Sequence, residues 1–248
     1  MSPDNQSRGF LTSPLYYYER VGSTMDVMHQ LAAEGAQAGT AVVAGEQLQG
    51  RGSRGRIWHS PPGGLWLSVL FRPASAGAVE VVSIRAGLAV AEALDSFGLR
   101  IELKWPNDLM LYGRKLGGVL CEARWQGDIL GWAAIGIGMN VRNSIPPELA
   151  PLAVSLTAAR PGITCDNVVE PIVKALRGLD LGAGELSPGE LTRFAQRDWL
   201  RGRTVREPIA GTVAGLREDG ALLVRTADGD ELPLRSGPVE LASASHSR

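Results

Sequence analysis

The chain has 248 residues, enough for one substantial core or for a large domain with a small companion. An apolar fraction of 44% and a charged fraction of 21% are ordinary for a soluble globular protein, and a formal net charge of −1 supplies no global field toward nucleic acid or anionic membrane. Any basic site must therefore be local. Two cysteines, Cys121 and Cys165, are too few for a disulfide framework or a cysteine-based zinc centre, and they suit a reducing cytosol. His29, His59 and His246 lack metal-ligand spacing, and no signal peptide or apolar run of membrane-spanning length is visible.

Met1–Pro14 is polar and Pro/Ser-bearing and reads as a flexible arm. Leu15–Val21 predicts a strand, and Ser23-Thr24-Met25-Asp26 has the form of a helix N-cap, with the helix stopping near Gly35. Capping alone explains Ser23 and Thr24. A strand-to-helix junction also exposes N–H groups to an anion, so a ligand role stays open for both. Leu65–Phe71 predicts a strand, 81–97 a buried helix, and 101–105 and 109–112 short strands. Segments 116–125 and 129–137 predict a hairpin about Gln126-Gly127-Asp128. Two helices follow, over about 166–181 and from Ser187 with Pro188 at its first position. Beyond Trp199 come five short strands with Asp/Gly turns, the pattern of a small barrel, and residues 243–248 are a tail.

Two stretches carry chemistry. The first, Gly50-Arg51-Gly52-Ser53-Arg54-Gly55-Arg56-Ile57-Trp58, alternates glycine with arginine. Glycine lets backbone N–H groups approach a ligand closely, and arginine offers a planar fork of donors to phosphate or carboxylate. The stretch fits an anion-wrapping loop, and a solvated turn would have a similar composition. Gly50, Gly52 and Gly55 match the dinucleotide spacing G-x-G-x-x-G. That fingerprint requires a helix directly afterwards, and His59-Ser60-Pro61-Pro62-Gly63-Gly64 cannot start one. No Gly-Lys-Ser/Thr ending is present, so a P-loop is excluded too.

The second stretch is Lys104-Trp105-Pro106-Asn107-Asp108-Leu109, followed by Arg114-Lys115-Leu116-Gly117-Gly118. Only three of the 25 basic residues are lysine, at 104, 115 and 174, so two of the three stand within this short span. Two compact ammonium groups near an arginine-rich loop would neutralise a polyphosphate and stabilise charge that builds in displacement at phosphorus. Asn107 and Asp108 are turn residues by composition, or groups that meet a metal–phosphate unit. Asn140, after Gly136-Ile137-Gly138-Met139, is a turn residue or an amide that reads a nucleotide.

The loop Gly50–Trp58, Lys104–Leu109, Arg114–Gly118 and Gly136–Asn140, in this order and at these separations, resemble the biotin–protein ligases, and with the Ser23-Thr24 junction the resemblance spans about residues 16–242. It implies an α+β fold: a class II aminoacyl-tRNA synthetase-like mixed sheet with helices as a catalytic domain over 15–199, then an SH3-like β-barrel over 200–242. It implies activation of biotin by ATP and Mg2+ to biotinyl-5′-AMP, then transfer to a lysine of a biotin carboxyl carrier domain of a carboxylase. Carried over by position, Ser23, Thr24, Gln47, Arg51, Gly52, Ser53, Lys115 and Gly118 would bind biotin. Arg54, Arg56, Trp58, Lys104, Asn107 and Asn140 would bind ATP, and Lys115, Lys104 and Asp108 would be catalytic. Lys115 would bridge carboxylate and α-phosphate as an electrostatic stabiliser. Mg2+ would arrive on ATP, with no fixed metal site on the protein.

Two residues depart from the family pattern. Met25 stands where asparagine is common, and Ser53 where the loop commonly has arginine; an uncharged hydroxyl implies weaker retention of the adenylate. Only about fifteen residues precede the first strand, too few for a helix-turn-helix, so no DNA-binding role is expected, nor a membrane one. The expected setting is cytoplasmic, as monomer or homodimer. Alternatives are a lipoate or octanoate ligase or transferase on the same fold, and a non-catalytic biotin or adenylate sensor. A nucleic-acid module built on the terminal strands lacks basic stripes interleaved with aromatics.

Overall fold

The computed structural model describes residues 13–73 and 77–242. Most of the expected N-terminal arm, the expected tail and His246 lie outside the described residues. The two described residues of the arm are held in place: Ser13 Oγ donates to Ala38 O at 3.1 Å, and Arg177 donates to the carbonyls of Ser13 and Pro14.

The main sheet has seven strands: β1 (Leu15–Val21), β2 (Ala41–Gln47), β3 (Leu65–Phe71), β4 (Glu102–Lys104), β5 (Asp108–Leu111), β6 (Arg114–Gln126) and β7 (Ile129–Met139). They lie in the order β1-β2-β3-β7-β6-β5-β4; β1 runs parallel to β2 and every other pair is antiparallel. The mixed sheet with few helices is the α+β class expected. β3 is central and buried at all seven positions, which is why its sequence is nearly unbroken apolar. Side chains alternate between the two faces. Val42, Leu70 and Ala134 face α1 (Thr24–Ala33), which packs through Met25, Met28 and Ala32. Ala41, Val43, Val69 and Ile135 face the core shared with α2 (Gly77–Asp95) and α3 (Cys165–Arg177).

After α3 and the short α4 (Pro188–Ala195), a second sheet holds β8 (Thr204–Glu207), β9 (Gly211–Leu216), β10 (Leu222–Arg225), β11 (Glu231–Leu234) and β12 (Glu240–Leu241). Its order is β11-β10-β9-β8-β12, antiparallel throughout. Among the described residues no pairing joins β11 to β12, so the five expected strands form an open sheet there. Ser187 caps α4 with Pro188 at its first position, and Glu190 reaches back to complete a capping box.

The two sheets share one buried cluster that includes Val205, Val213, Leu222 and Val224. The β9–β10 turn packs against the first sheet's last strands: Trp105 Nε1 donates to Gly220 O at 2.9 Å. Leu103 N donates to Arg197 O and Trp199 N to Leu103 O, tying the segment before β8 along β4.

Candidate active site

Two cavities meet at one end of the main sheet, beside the start of α1. The smaller, of about 180 Å3, is lined by Ser23, Thr24, Met25, Gln47, Arg51, Gly52, Ser53, Trp58, Lys115 and Gly118, among others. The larger, of about 520 Å3, is lined by Ser53, Arg54, Arg56, Lys104, Asn107 and Asp108 from the first sheet's side and by Asp219 and Arg235 from the second sheet. Ser53, Arg56, Asn107, Val119 and Leu120 belong to both walls, so the two spaces adjoin.

The polar end of the small cavity is assembled from two strands, a helix cap and the loop residue Ser60. Ser23 Oγ accepts from Met25 N at 3.3 Å and caps α1. Gln47, the last residue of β2, accepts at Oε1 from Thr24 N (2.8 Å) and Thr24 Oγ1 (3.0 Å), and its Nε2 donates to Ser60 Oγ at 2.9 Å. Ser68 Oγ, from the middle of β3, donates to Thr24 Oγ1 at 2.8 Å. Every hydroxyl and amide here has its orientation set by a neighbour, so a ligand would meet preorganised groups.

The Gly50–Trp58 loop folds as a narrow hairpin. Gly52 N donates to Arg56 O and Trp58 N to Gly50 O, around a 3-10 turn at Ser53–Gly55 where Arg54 has φ 61°. A Cβ on Gly50 would stand 2.4 Å from both Ser60 Oγ and Trp58 O, so glycine is required there. Two of the three arginines are already partnered. Arg51 grips Asp26 with both terminal nitrogens (2.9 and 2.7 Å), and Arg56 donates to Ser53 O (3.3 Å) and Ser53 Oγ (3.0 Å). Ser53 thus holds a neighbouring guanidinium in the loop. Arg54 is exposed. Trp58 lines the small cavity, its buried indole N–H has no partner, and it lies against Gly138, where a Cβ would come within 2.6 Å of Nε1. Met25 packs in the same way over Gly136, so the spaced glycines of β7 are seats for two side chains of the cavity wall.

At the junction, Lys115 Nζ lies 2.5 Å from Asp108 Oδ1 and 5.2 Å from the centre of the Trp58 ring. Asp108 lines the large cavity and Lys115 the small one, so this ion pair spans the two. Gly118 lies beside it, at a position where a Cβ would make only ordinary contact, 3.7 Å from Lys115 Cε. Asn107 Nδ2 donates to Val119 O at 2.7 Å, which leaves the amide oxygen free to face the cavity. Lys104, at the end of β4, lies 5.3 Å from the Trp199 ring. Burial pushes its ammonium below the usual lysine range; Lys115 and Arg203 push the same way and Asp108 opposes them.

The cavities thus bring together every residue of the expected biotin set and, of the ATP set, Arg54, Arg56, Lys104 and Asn107. Trp58 faces the small cavity. Asn140 lines neither: it is buried, and its Oδ1 accepts from Asn143 Nδ2 at 3.0 Å. Sequence reasoning passed over Ser68, whose hydroxyl in the middle of an apolar strand was a legible signal, and Asp26, which serves Arg51. It also passed over Arg235 on the wall of the large cavity, for which no local signal exists.

Residues 17–140, the span from β1 to the end of β7, match the family model described as biotin/lipoate A/B protein ligase. Over 240 residues the chain is 32% identical to the bifunctional ligase/repressor BirA of Bacillus subtilis, covering 92% of this chain and 74% of that one. It is 30% identical over 224 residues to the biotin–[acetyl-CoA-carboxylase] ligase of Paracoccus denitrificans, covering 81% and 90% respectively. In structure it is similar to the biotin protein ligase of Aquifex aeolicus in complex with biotin and ATP, with a TM-score of 0.76, 28% identity, and coverage of 94% of this chain and 99% of that one. By its fold, its matched span and these relatives, the chain belongs to the biotin/lipoate A/B protein ligase family.

Proposed function

We propose that the adjoining cavities carry out ATP-dependent ligation of biotin to a protein lysine. In the first step an oxygen of biotin's carboxylate attacks the α-phosphorus of ATP, the bond to the bridging oxygen breaks, and biotinyl-5′-AMP and pyrophosphate form. In the second, the amine of a lysine on a carboxyl carrier domain attacks the acyl carbon, AMP leaves, and the amine gives up a proton as the amide forms.

The observation that carries this reading is the Lys115–Asp108 pair joining a small preorganised cavity to a larger cationic one. Ser23, Thr24 and Gln47 are the proposed readers of biotin's polar ring, with Arg51, Gly52, Ser53 and Gly118 on the walls. Arg54, Arg56, Lys104 and Asn107 are the proposed partners of the nucleotide, and Trp58 covers the point where the two substrates meet. Lys115 stabilises negative charge on the carboxylate and α-phosphate as the bond forms. Asn107 and Asp108 put oxygen donors on the wall of the large cavity, chemistry that fits a Mg2+ ion arriving on ATP; when bound, that ion offsets charge on the phosphate oxygens.

We read the terminal open sheet as an SH3-like module and residues 15–199 as the catalytic domain, on the number and order of the strands and the break in pattern near Trp199. The acceptor is a carboxyl carrier domain, and a cytoplasmic setting suits the two free thiols. Among the described residues no helix is long and apolar enough to cross a membrane.

Transfer of labelled biotin to a purified carrier domain tests the proposal. Wild type should transfer, and Lys115→Ala should lower the adenylation rate about 10²- to 10³-fold. Full activity in Lys115→Ala would remove the mechanism, and transfer of lipoate in place of biotin would reassign the substrate.

A further inference from the structure

Behind the small cavity a chain of polar groups runs from the sheet to the loop. Trp132 on β7 donates its indole N–H to His29 Nδ1 at 3.0 Å. The imidazole's own proton therefore sits on Nε2, which faces Glu122 Oε2 at 2.9 Å. The other oxygen of Glu122 lies 3.5 Å from Arg51 Nε, and Arg51 holds Asp26 in a bidentate pair. Arg124 stands 3.3 Å from Glu122 Oε2 and completes the charged groups around the ring: Asp26 from α1, Glu122 and Arg124 from β6, Arg51 from the loop.

Arg51 is the tether that matters for the loop. Among the described residues, its side chain is the one within 51–57 that hydrogen-bonds outside the loop; the Arg56 side chain bonds back to Ser53. Asp26 is more than half exposed, and a pair so open to water holds weakly by itself. Glu122 is only 21% exposed and backs the guanidinium from the protein side.

We infer that Glu122 and His29 are positioning residues for the ligation: through Arg51 they hold the Gly50–Trp58 loop in its closed register over the bound acid and its adenylate. The inference rests on the ligase reading. Neither residue lines either cavity of the site, and both act through the arginine. His29 must be neutral to accept from Trp132. Burial pushes it below the usual imidazole range, Glu122 opposes that, and Arg124 and Arg51 add to it. A cationic ring would set a second donor against the indole N–H and break the chain at that point.

Two conservative variants of the full chain test this. Glu122→Gln keeps an acceptor for His29 and removes the charge that faces Arg51. His29→Gln keeps an acceptor for the indole and a donor for Glu122, and it cannot titrate. Glu122→Gln should release labelled biotinyl adenylate about two- to fivefold faster and raise the KM for biotin by a similar factor, with the KM for ATP and the thermal midpoint unchanged. Because burial holds His29 below the usual imidazole range, release by wild type should quicken only as pH falls below about 6.5, while His29→Gln stays slow there. Should Glu122→Gln not fold, Asp26→Asn removes the opposite end of the chain and should show the same split between the two KM values. Adenylate that forms normally but leaves Glu122→Gln at the wild-type rate overturns the inference alone, as do coincident pH profiles for wild type and His29→Gln. A wild-type chain that forms no adenylate from biotin and ATP overturns the ligase reading and the inference with it.

Discussion

Lys104 closes β4, Lys115 stands at the start of β6 and Gln47 closes β2, and strand ends fix direction well. Ser53 is different. Its departure from the family pattern is visible in the sequence; its partner is not. The hydroxyl accepts from Arg56, so the loop has lost one cation and has a second one turned onto its own backbone. Ser53→Arg should add a charge facing the anion and free Arg56. Release of labelled adenylate should slow by about tenfold, and an unchanged off-rate would remove this account of the loop. Glu122 could not have been found from the chain alone. A single carboxylate in a strand carries no motif, and its role depends on α1, packed across β2, β3 and β7, bringing His29 to it.

The loop and β7 form a fitted pair. Glycines inside a strand, as in Gly136-Ile137-Gly138, are a signal of close approach to the backbone, and their spacing does not say what approaches. The partners, Met25 and Trp58, come from elements remote in sequence. The two glycines should respond differently to the same change. A Cβ at Gly138 would meet the rigid Trp58 indole at 2.6 Å, and a Cβ at Gly136 would meet the flexible Met25 thioether at 2.9 Å. Gly138→Ala should therefore displace Trp58 and cut adenylation about tenfold or more, with a shift in tryptophan fluorescence, while Gly136→Ala should cost about threefold or less. Equal losses would show that the indole is not part of the working wall. The strand assignments were legible for a simple reason: period-two patterns and Asp/Gly turns bound short elements clearly.

Across the whole molecule, what local patterns could not specify is how the second sheet meets the first. Strand number was readable from turn spacing; closure was not, because the pairing of β12 with β8 joins strands separated by three others. One buried charge marks the connection. Asp198, just before β8, accepts from Leu200 N at 2.9 Å through Oδ1, while its Oδ2 is buried without a partner. Burial raises its pKa to about 6, against the backbone donors that lower it. A folded value above the unfolded 3.8 means that the native state binds the proton more tightly. Stability should therefore be lost as pH rises from about 4 through about 6. Asp198→Asn should stabilise the chain by about 1–2 kcal/mol at pH 8 and by nothing at pH 4, read from urea unfolding at both values. A variant no more stable at pH 8 would show that the carboxylate is solvated in the folded protein.

The central claim is that biotin and ATP react in these cavities, with Lys115 at the junction, before any acceptor is present. Pyrophosphate release on mixing the chain with ATP, without a carrier domain, tests it most directly. A burst of about one pyrophosphate per chain should follow addition of biotin and not of lipoate, and Lys115→Ala should lose it. No burst with biotin, or a burst with lipoate alone, would contradict it.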